Sequence, residues 1–216
     1  MISAPVRSTR KPRGRGFERR EEILETALRL FSERGVSDVS TRDIAGRVGI
    51  SQPALYAYFQ SRDDLLAELS ERAFEELEQR MRALPEDAVT DRKALLRVCR
   101  VYIDFGLERP AAYRVAFMLE KRKSDDEVPD PRLLAAGLTT FDGFQMRLAR
   151  LVELGLTRPG DPRLLAQSLW AGLHGLVSLF LARDDFPWVE RETLIARHLD
   201  LLVDGVLLPE PLTPRR

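Results

Sequence analysis

Ser40-Thr41-Arg42-Asp43-Ile44-Ala45-Gly46-Arg47-Val48-Gly49-Ile50-Ser51-Gln52-Pro53-Ala54-Leu55-Tyr56-Ala57-Tyr58-Phe59 decides the reading of this chain. Its punctuation predicts two short helices. Ser40, with Asp43 three residues on, has the spacing of a capping box, in which side chain and backbone satisfy each other's free N–H groups. Gly49 can take a left-handed conformation and end the first helix in a sharp turn. Ser51 caps the second helix. Pro53 falls in its first turn, where N–H groups lack helical partners anyway. Ile44, Ala45, Val48, Ile50 and Leu55 supply a small apolar set that packs the two helices together. Two short helices across a Gly turn make a helix-turn-helix, whose second helix lies in a DNA major groove with its first residues nearest the base edges.

Working outward, Leu24, Ala27, Leu28 and Phe31 repeat at helical spacing and place a first helix over about Phe17 to Arg34, stopped by Gly35. Ser61 with Asp64 opens a fourth helix along Leu66, Leu69, Ala73, Leu77 and Met81. A break follows from Pro85 to Thr90. A fifth helix covers about Asp91 to Glu108, and a short one runs from Pro110 to about Lys121. The charged stretch Arg122 to Asp130 reads as a flexible loop. Asp130-Pro131 and Asp161-Pro162 each open a helix in the same way, with Asp as cap and Pro at the first helical position. The last helix covers about Val189 to Leu207. No short alternating segment suggests a strand, so the fold class is all-α with about nine helices. The expected domains are a disordered basic arm at 1–16, a helix-turn-helix domain at 17–64, a ligand-binding and dimerisation domain at 65–208 and a loose tail at 209–216.

Residue chemistry assigns roles within the helix-turn-helix. Gln52 can pair with adenine, and Pro53 and Ala54 can touch a thymine methyl. Ser51 begins the same helix. Thr41, Tyr56, Tyr58 and Arg62 carry hydroxyl or cationic groups suited to phosphate. Arg42 could reach a guanine or a phosphate. Leu55 and Phe59 are expected in the core, because helical spacing turns them away from Tyr56 and Tyr58.

Residues 17–66 resemble the N-terminal domain of the tetracycline-repressor (TetR) family. The resemblance joins the first helix, both caps, the Gly turn and the Leu55-Tyr56-x-x-Phe59 core. It implies an all-helical, homodimeric transcriptional regulator, usually a repressor released from a palindromic operator by a small ligand. Carried over by position, Thr41, Tyr56, Tyr58 and Arg62 match phosphate contacts, and Arg42, Gln52, Pro53 and Ala54 match positions that face bases. Tyr58 stands where the family often has His, and Arg62 where it often has Lys. Trp170-Ala171-Gly172-Leu173-His174-Gly175 resembles the Trp-x-x-x-His-Gly signature of one type of C-terminal domain in the family.

The C-terminal half holds a run of 19 residues without formal charge, Leu164 to Ala182. That length could cross a membrane. Gln167, Ser168, His174 and Ser178, with mid-helix Gly172 and Gly175, instead suggest a helix buried partly in its own core and partly against a partner. The last helix has a matching stripe at Leu194, Ile195, His198, Leu199, Leu202 and Val206. The family implies a dimer through these two long helices, with Gly172 and Gly175 allowing close approach. Trp170 and His174 share a helix face. They either line an effector cavity or form a core pair. Tyr102, Phe105, Phe117, Met118, Phe141 and Phe144 complete the candidate pocket, which suits an uncharged or weakly polar, apolar or aromatic effector.

Composition sets the bounds. The chain has 216 residues, with 34 Lys and Arg against 34 Asp and Glu. The neutral total hides a polarity: residues 1–20 carry seven basic groups against Glu18 alone, and residues 66–216 are mildly acidic. Cys99 is the only cysteine, so an intramolecular disulfide is excluded and a reducing, cytoplasmic setting is favoured. The basic start is not followed by an apolar run, which reads as no secretory signal. Two His residues without metal-ligand spacing, no nucleophile elbow and no phosphate loop argue against an enzyme, a metal or a cofactor. The expected partners are double-stranded operator DNA, a small effector and a second copy of the chain. Activation in place of repression, or non-specific architectural DNA binding by the basic arm, are the alternatives.

Overall fold

The structure, a computed structural model, describes residues 15–84, 91–118 and 131–209. The expected basic arm before residue 15, the charged loop with its Asp130 cap, and the tail after Pro209 lie outside the described residues. Among those described, the elements are all helical: α1 (Arg15–Arg34), α2 (Thr41–Val48), α3 (Gln52–Tyr56), α4 (Arg62–Arg82), α5 (Arg92–Glu108), α6 (Pro110–Phe117), α7 (Pro131–Glu153), α8 (Pro162–Ala182) and α9 (Arg191–Val206). Helix α1 therefore begins two residues before the expected Phe17, α6 ends at Phe117 and α3 ends short of Phe59. Contacts divide the chain into two compact units after Leu66.

In the first unit, α1 packs on α2 and α2 on α3. Ile23, Leu24, Ala27, Leu30, Phe31, Ile44, Ala45, Leu55 and Phe59 are buried. The capping box forms as read: Asp43 N–H donates to Ser40 Oγ at 3.2 Å and Ser40 N–H to Asp43 Oδ2 at 2.9 Å. The Ser40 hydroxyl, which also donates to Asp43 Oδ2, and then the Ser40 N–H hold the Asp43 carboxyl below its usual range. Gly49 has φ +75° and its N–H returns to Ala45 and Gly46 carbonyls. Ser61 Oγ accepts from Asp64 N–H at 2.9 Å, but the Asp64 carboxylate reaches back to Gln60 N–H rather than to Ser61.

In the second unit, α5 packs against α6, α8 and α9, and α8 also meets α7 and α9. One core joins Leu77, Val98, Cys99, Ile103, Tyr113, Leu148, Leu169, Val177, Ile195 and Val203. Burial pushes the Cys99 thiol up to about 12, so it is a protonated apolar filler. Helix α8 is 21 residues long with mean hydropathy 1.5, enough by length and composition to cross a membrane. Here Ala166, Leu169, Leu173, Leu176, Val177 and Phe180 put one side of it into this core.

The two mid-helix glycines of α8 differ in their surroundings within one chain. A Cβ on Gly172 would lie 2.6 Å from Leu202 Cδ2, so its missing side chain serves the approach of α8 and α9 within one chain. Gly175 meets nothing within 4 Å. The α9 stripe is likewise used internally, with Ile195, Leu199 and Val206 buried and Leu194 and Leu202 packed on the same core.

Gly49→Ala places a Cβ in the left-handed region, a cost of about 1–3 kcal/mol. Urea unfolding of the full chain should show a lower midpoint for this variant. Gly46→Ala, within α2 and in open space, should leave the midpoint unchanged or raise it.

Candidate nucleic-acid interface and cavity

Helix α3 has only five residues and is set by its surroundings. Ser51 Oγ caps it by accepting from Ala54 N–H at 3.3 Å, and Leu55 anchors it inward with no exposed surface. Its other faces are open. Ser51, Pro53 and Tyr56 are exposed, and Gln52, Ala54 and Tyr58 are half-buried. Arg42, at the start of α2, is exposed and makes no hydrogen bond or ion pair among the described residues.

Two expected phosphate ligands have other partners. Thr41 is only 6% exposed. Its hydroxyl accepts from Gln52 Nε2 at 3.0 Å and pairs with the Tyr56 hydroxyl at 3.3 Å. Thr41 is thus a buried node that holds the Gln52 amide and the Tyr56 hydroxyl. The Arg62 guanidinium donates to the Val36 carbonyl at 2.6 Å, tying the start of α4 to the α1–α2 turn. Arg20 lies 4.5 Å over the Phe59 ring. The Thr41 node could be read from hydroxyl spacing only once α2 and α3 were placed, and the Arg62 bond has no local signal.

The second unit contains a cavity of about 340 Å³. Of the expected pocket residues, Tyr102, Phe117, Phe141, Phe144 and Trp170 line it. Phe105, Met118 and His174 do not. Phe105 is fully enclosed, with the Arg80 guanidinium 5.5 Å over its ring. Met118 caps the end of α6, packed on the core. Aromatic type and helical spacing cannot separate a cavity wall from a core on the other face of the same helix. Sequence reading missed Phe74, Leu77 and Met81 of α4, Leu134 and Leu138 of α7, and Arg163, Gln167 and Leu173 of α8.

His174 sits behind the cavity wall in a polar chain. Trp170 Nε1 donates to the Tyr102 hydroxyl at 3.1 Å. The Tyr102 and Tyr113 hydroxyls are 3.0 Å apart, and the Tyr113 hydroxyl lies 2.7 Å from His174 Nδ1. His174 Nε2 faces Ser178 Oγ at 3.2 Å. Burial raises both tyrosines, Tyr113 to about 12, so both are O–H donors. Burial also lowers His174. A neutral ring that accepts at Nδ1 must carry its proton on Nε2, where Ser178 accepts it. Tyr113, the hub of this chain, was absent from the sequence reading because nothing local marks it.

The matches to known proteins agree with this layout. Residues 23–69 match the family described as bacterial regulatory proteins, tetR family, and residues 95–204 match the tetracyclin repressor-like C-terminal domain. The chain belongs to the TetR family. It is a DNA-binding transcriptional regulator with a helix-turn-helix. The C-terminal description does not single out the Trp-x-x-x-His-Gly type. Among relatives, the nucleoid occlusion factor SlmA of Actinobacillus pleuropneumoniae is 28% identical over 184 residues, 81% of this chain and 86% of the relative. The Salmonella newport SlmA is 27% identical, covering 83% and 90%. The putative regulatory protein SCO4313 superposes with TM-score 0.69 at 25% identity, over 89% and 98% of the two chains. AibR, solved with isovaleryl coenzyme A and operator DNA, gives 0.64 at 20% identity, over 86% and 98%.

The lowered His174 value has a pH consequence. Its unfolded value is near 6.5 and the folded one is lower. Stability contributed by the neutral ring is therefore complete above about pH 6.5 and is lost as pH falls from there through the folded value. Thermal unfolding from pH 7.5 to 5 should show this fall in the parent chain. His174→Gln should flatten it, and equal slopes would contradict the assignment.

Proposed function

We propose that this chain is a homodimeric repressor, released from a palindromic operator when a small, mainly apolar molecule enters the C-terminal cavity. The observation that carries the reading is that cavity, present in a chain whose other unit exposes Arg42, Pro53 and Tyr56 beside a half-buried Gln52 on a short capped helix. AibR, with its coenzyme A thioester and operator DNA, supports the pairing of the two functions in this fold. Gln52 and Arg42 read bases, with Pro53 and Ala54 against a thymine methyl. Ser51, Tyr56 and Tyr58 meet phosphates, and Thr41 and Arg62 hold the frame. The regulator works in the cytoplasm, where the chromosome is.

Dimerisation uses the apolar surface that α8 and α9 leave outside their own core: Leu164, Ala171 and Leu179 on α8, and Leu201 on α9. Release follows if the ligand favours a state whose recognition helices no longer match half-sites about 34 Å apart. Helix α4 supplies Phe74, Leu77 and Met81 to the cavity and is the element a ligand would displace. The relatives named nucleoid occlusion factors favour a second reading, in which DNA binding serves nucleoid occlusion rather than a promoter.

Chromosome-wide mapping with transcript profiling of a deletion strain separates these readings. Repression predicts sites upstream of genes whose transcripts rise on deletion. Falling transcripts would mean activation, and bound sites without transcript change would favour occlusion. On a mapped site, Gln52→Ala should alter base preference, with each lost base contact worth about 1–3 kcal/mol. Affinity that does not fall with rising salt would sink the phosphate contacts. Leu179→Arg with Leu201→Arg should yield a monomer by sedimentation and lose most operator affinity. A dimer that persists would overturn the α8–α9 interface.

A further inference from the structure

The cavity wall formed by α8 is graded. Arg163, Gln167, Trp170 and Leu173 all line it, at successive turns of one helix face. Arg163 and Gln167 are exposed, Trp170 is 37% exposed and Leu173 is 2% exposed. The wall therefore runs from a cation at the solvent end to an apolar interior. Neither Arg163 nor Gln167 has a side-chain partner among the described residues. None of the lining residues is acidic. Glu78, which Thr140 contacts, is ion-paired with Arg82 at 2.6 Å.

The deep end asks for no polar group. The Tyr102 hydroxyl is engaged by Trp170, Tyr113 and His174. Around it, Phe74, Leu77, Val98, Phe117 and Phe144 are apolar. A polar ligand atom placed there would lose its hydration without a partner. At the outer end an anion gains a fork of guanidinium donors and the Gln167 amide.

We infer that the cavity takes a single-chain amphiphilic carboxylate, with its head on Arg163 and Gln167 and its tail running past Trp170 to Leu173. This rests on the ligand-responsive reading above, and it replaces the uncharged effector suggested by the aromatic residues alone. From Arg163 to Leu173 the helix advances about 15 Å. An extended alkyl chain advances about 1.3 Å per carbon. A tail of about twelve carbons spans that wall.

The test is calorimetric titration of the full chain with dodecanoate, its methyl ester and dodecyltrimethylammonium. Dodecanoate should bind at least tenfold tighter than the other two. Arg163→Gln should weaken dodecanoate about tenfold, leave the ester unchanged and be partly rescued by Arg163→Lys. Leu138→Trp, which fills the apolar part, should weaken all three. Equal binding of acid and ester, preference for the cation, or an unaffected Arg163→Gln overturns the assignment, as does no binding of any probe. Arg163-dependent dodecanoate binding that leaves operator affinity unaltered would confirm the site and sink the ligand-released repressor.

Discussion

Helix α8 depends on side chains that are missing. Leu202 of α9 comes within 2.6 Å of where a Gly172 Cβ would stand, and Val177 of α8 comes within 2.5 Å of the same position on Gly106 of α5. A larger residue at either place would force the facing side chains to shift, because close-packed interiors have little slack for an added methyl group. With α8 held this closely, its faces take separate tasks. Leu169, Leu173 and Val177 enter the core, Arg163, Gln167 and Trp170 face the cavity, and Leu164, Ala171 and Leu179 stay outside. A helix with polar residues at only a few positions and apolar ones nearly all round is what such a threefold use requires.

The polar chain behind the cavity follows from the same enclosure. Tyr113 is fully buried and brings a hydroxyl into an apolar interior. An unpaired donor there would cost about 1–3 kcal/mol. Tyr102, Trp170, His174 and Ser178 join Tyr113 in one connected chain, from the indole N–H to the serine hydroxyl. Burial favours the neutral imidazole within that chain. The Trp170 face toward the cavity is thereby fixed by bonds that never touch the ligand.

Local chemistry was legible in the sequence and tertiary choice was not. The Ser40–Asp43 box, the Ser51 cap and the Gly49 turn each depend on residues three or four apart, so residue type and spacing determine them. The helices and the all-α class followed from such signals. Thr41 was read as a phosphate ligand from its hydroxyl and its family position, and residue type does not tell that Gln52 and Tyr56 of α3 bond that hydroxyl. Phe105 and Phe144 carry the same ring, yet one is enclosed by core and the other borders a cavity. The capping pattern explained Asp161 and Pro162 but was silent on where the next side chain, Arg163, goes. Gly172 was read as a point of close approach to a second copy, and no local signal told that Leu202 of α9 in the same chain already uses it.

The neutral overall charge bears on how such a regulator can discriminate. Non-specific affinity grows with the number of neutralised phosphates and is lost steeply with salt. Residues 1–65 carry twelve basic groups against nine acidic ones, and several described cations already have protein partners: Arg47 with Glu33, Arg19 with Glu22, Arg62 with the Val36 carbonyl. The net excess of this segment is only three positive charges, so bulk charge alone gives a single module limited affinity. Family members dimerise, and a second half-site engaged from the first acts at a high effective concentration. The product of two weak, geometry-dependent contacts is then sensitive to their separation. A ligand need not oppose a large electrostatic attraction. In the proposed ligand-released repressor, the ligand would have only to favour, by a few kcal/mol, a state in which the two halves no longer fit together on one operator.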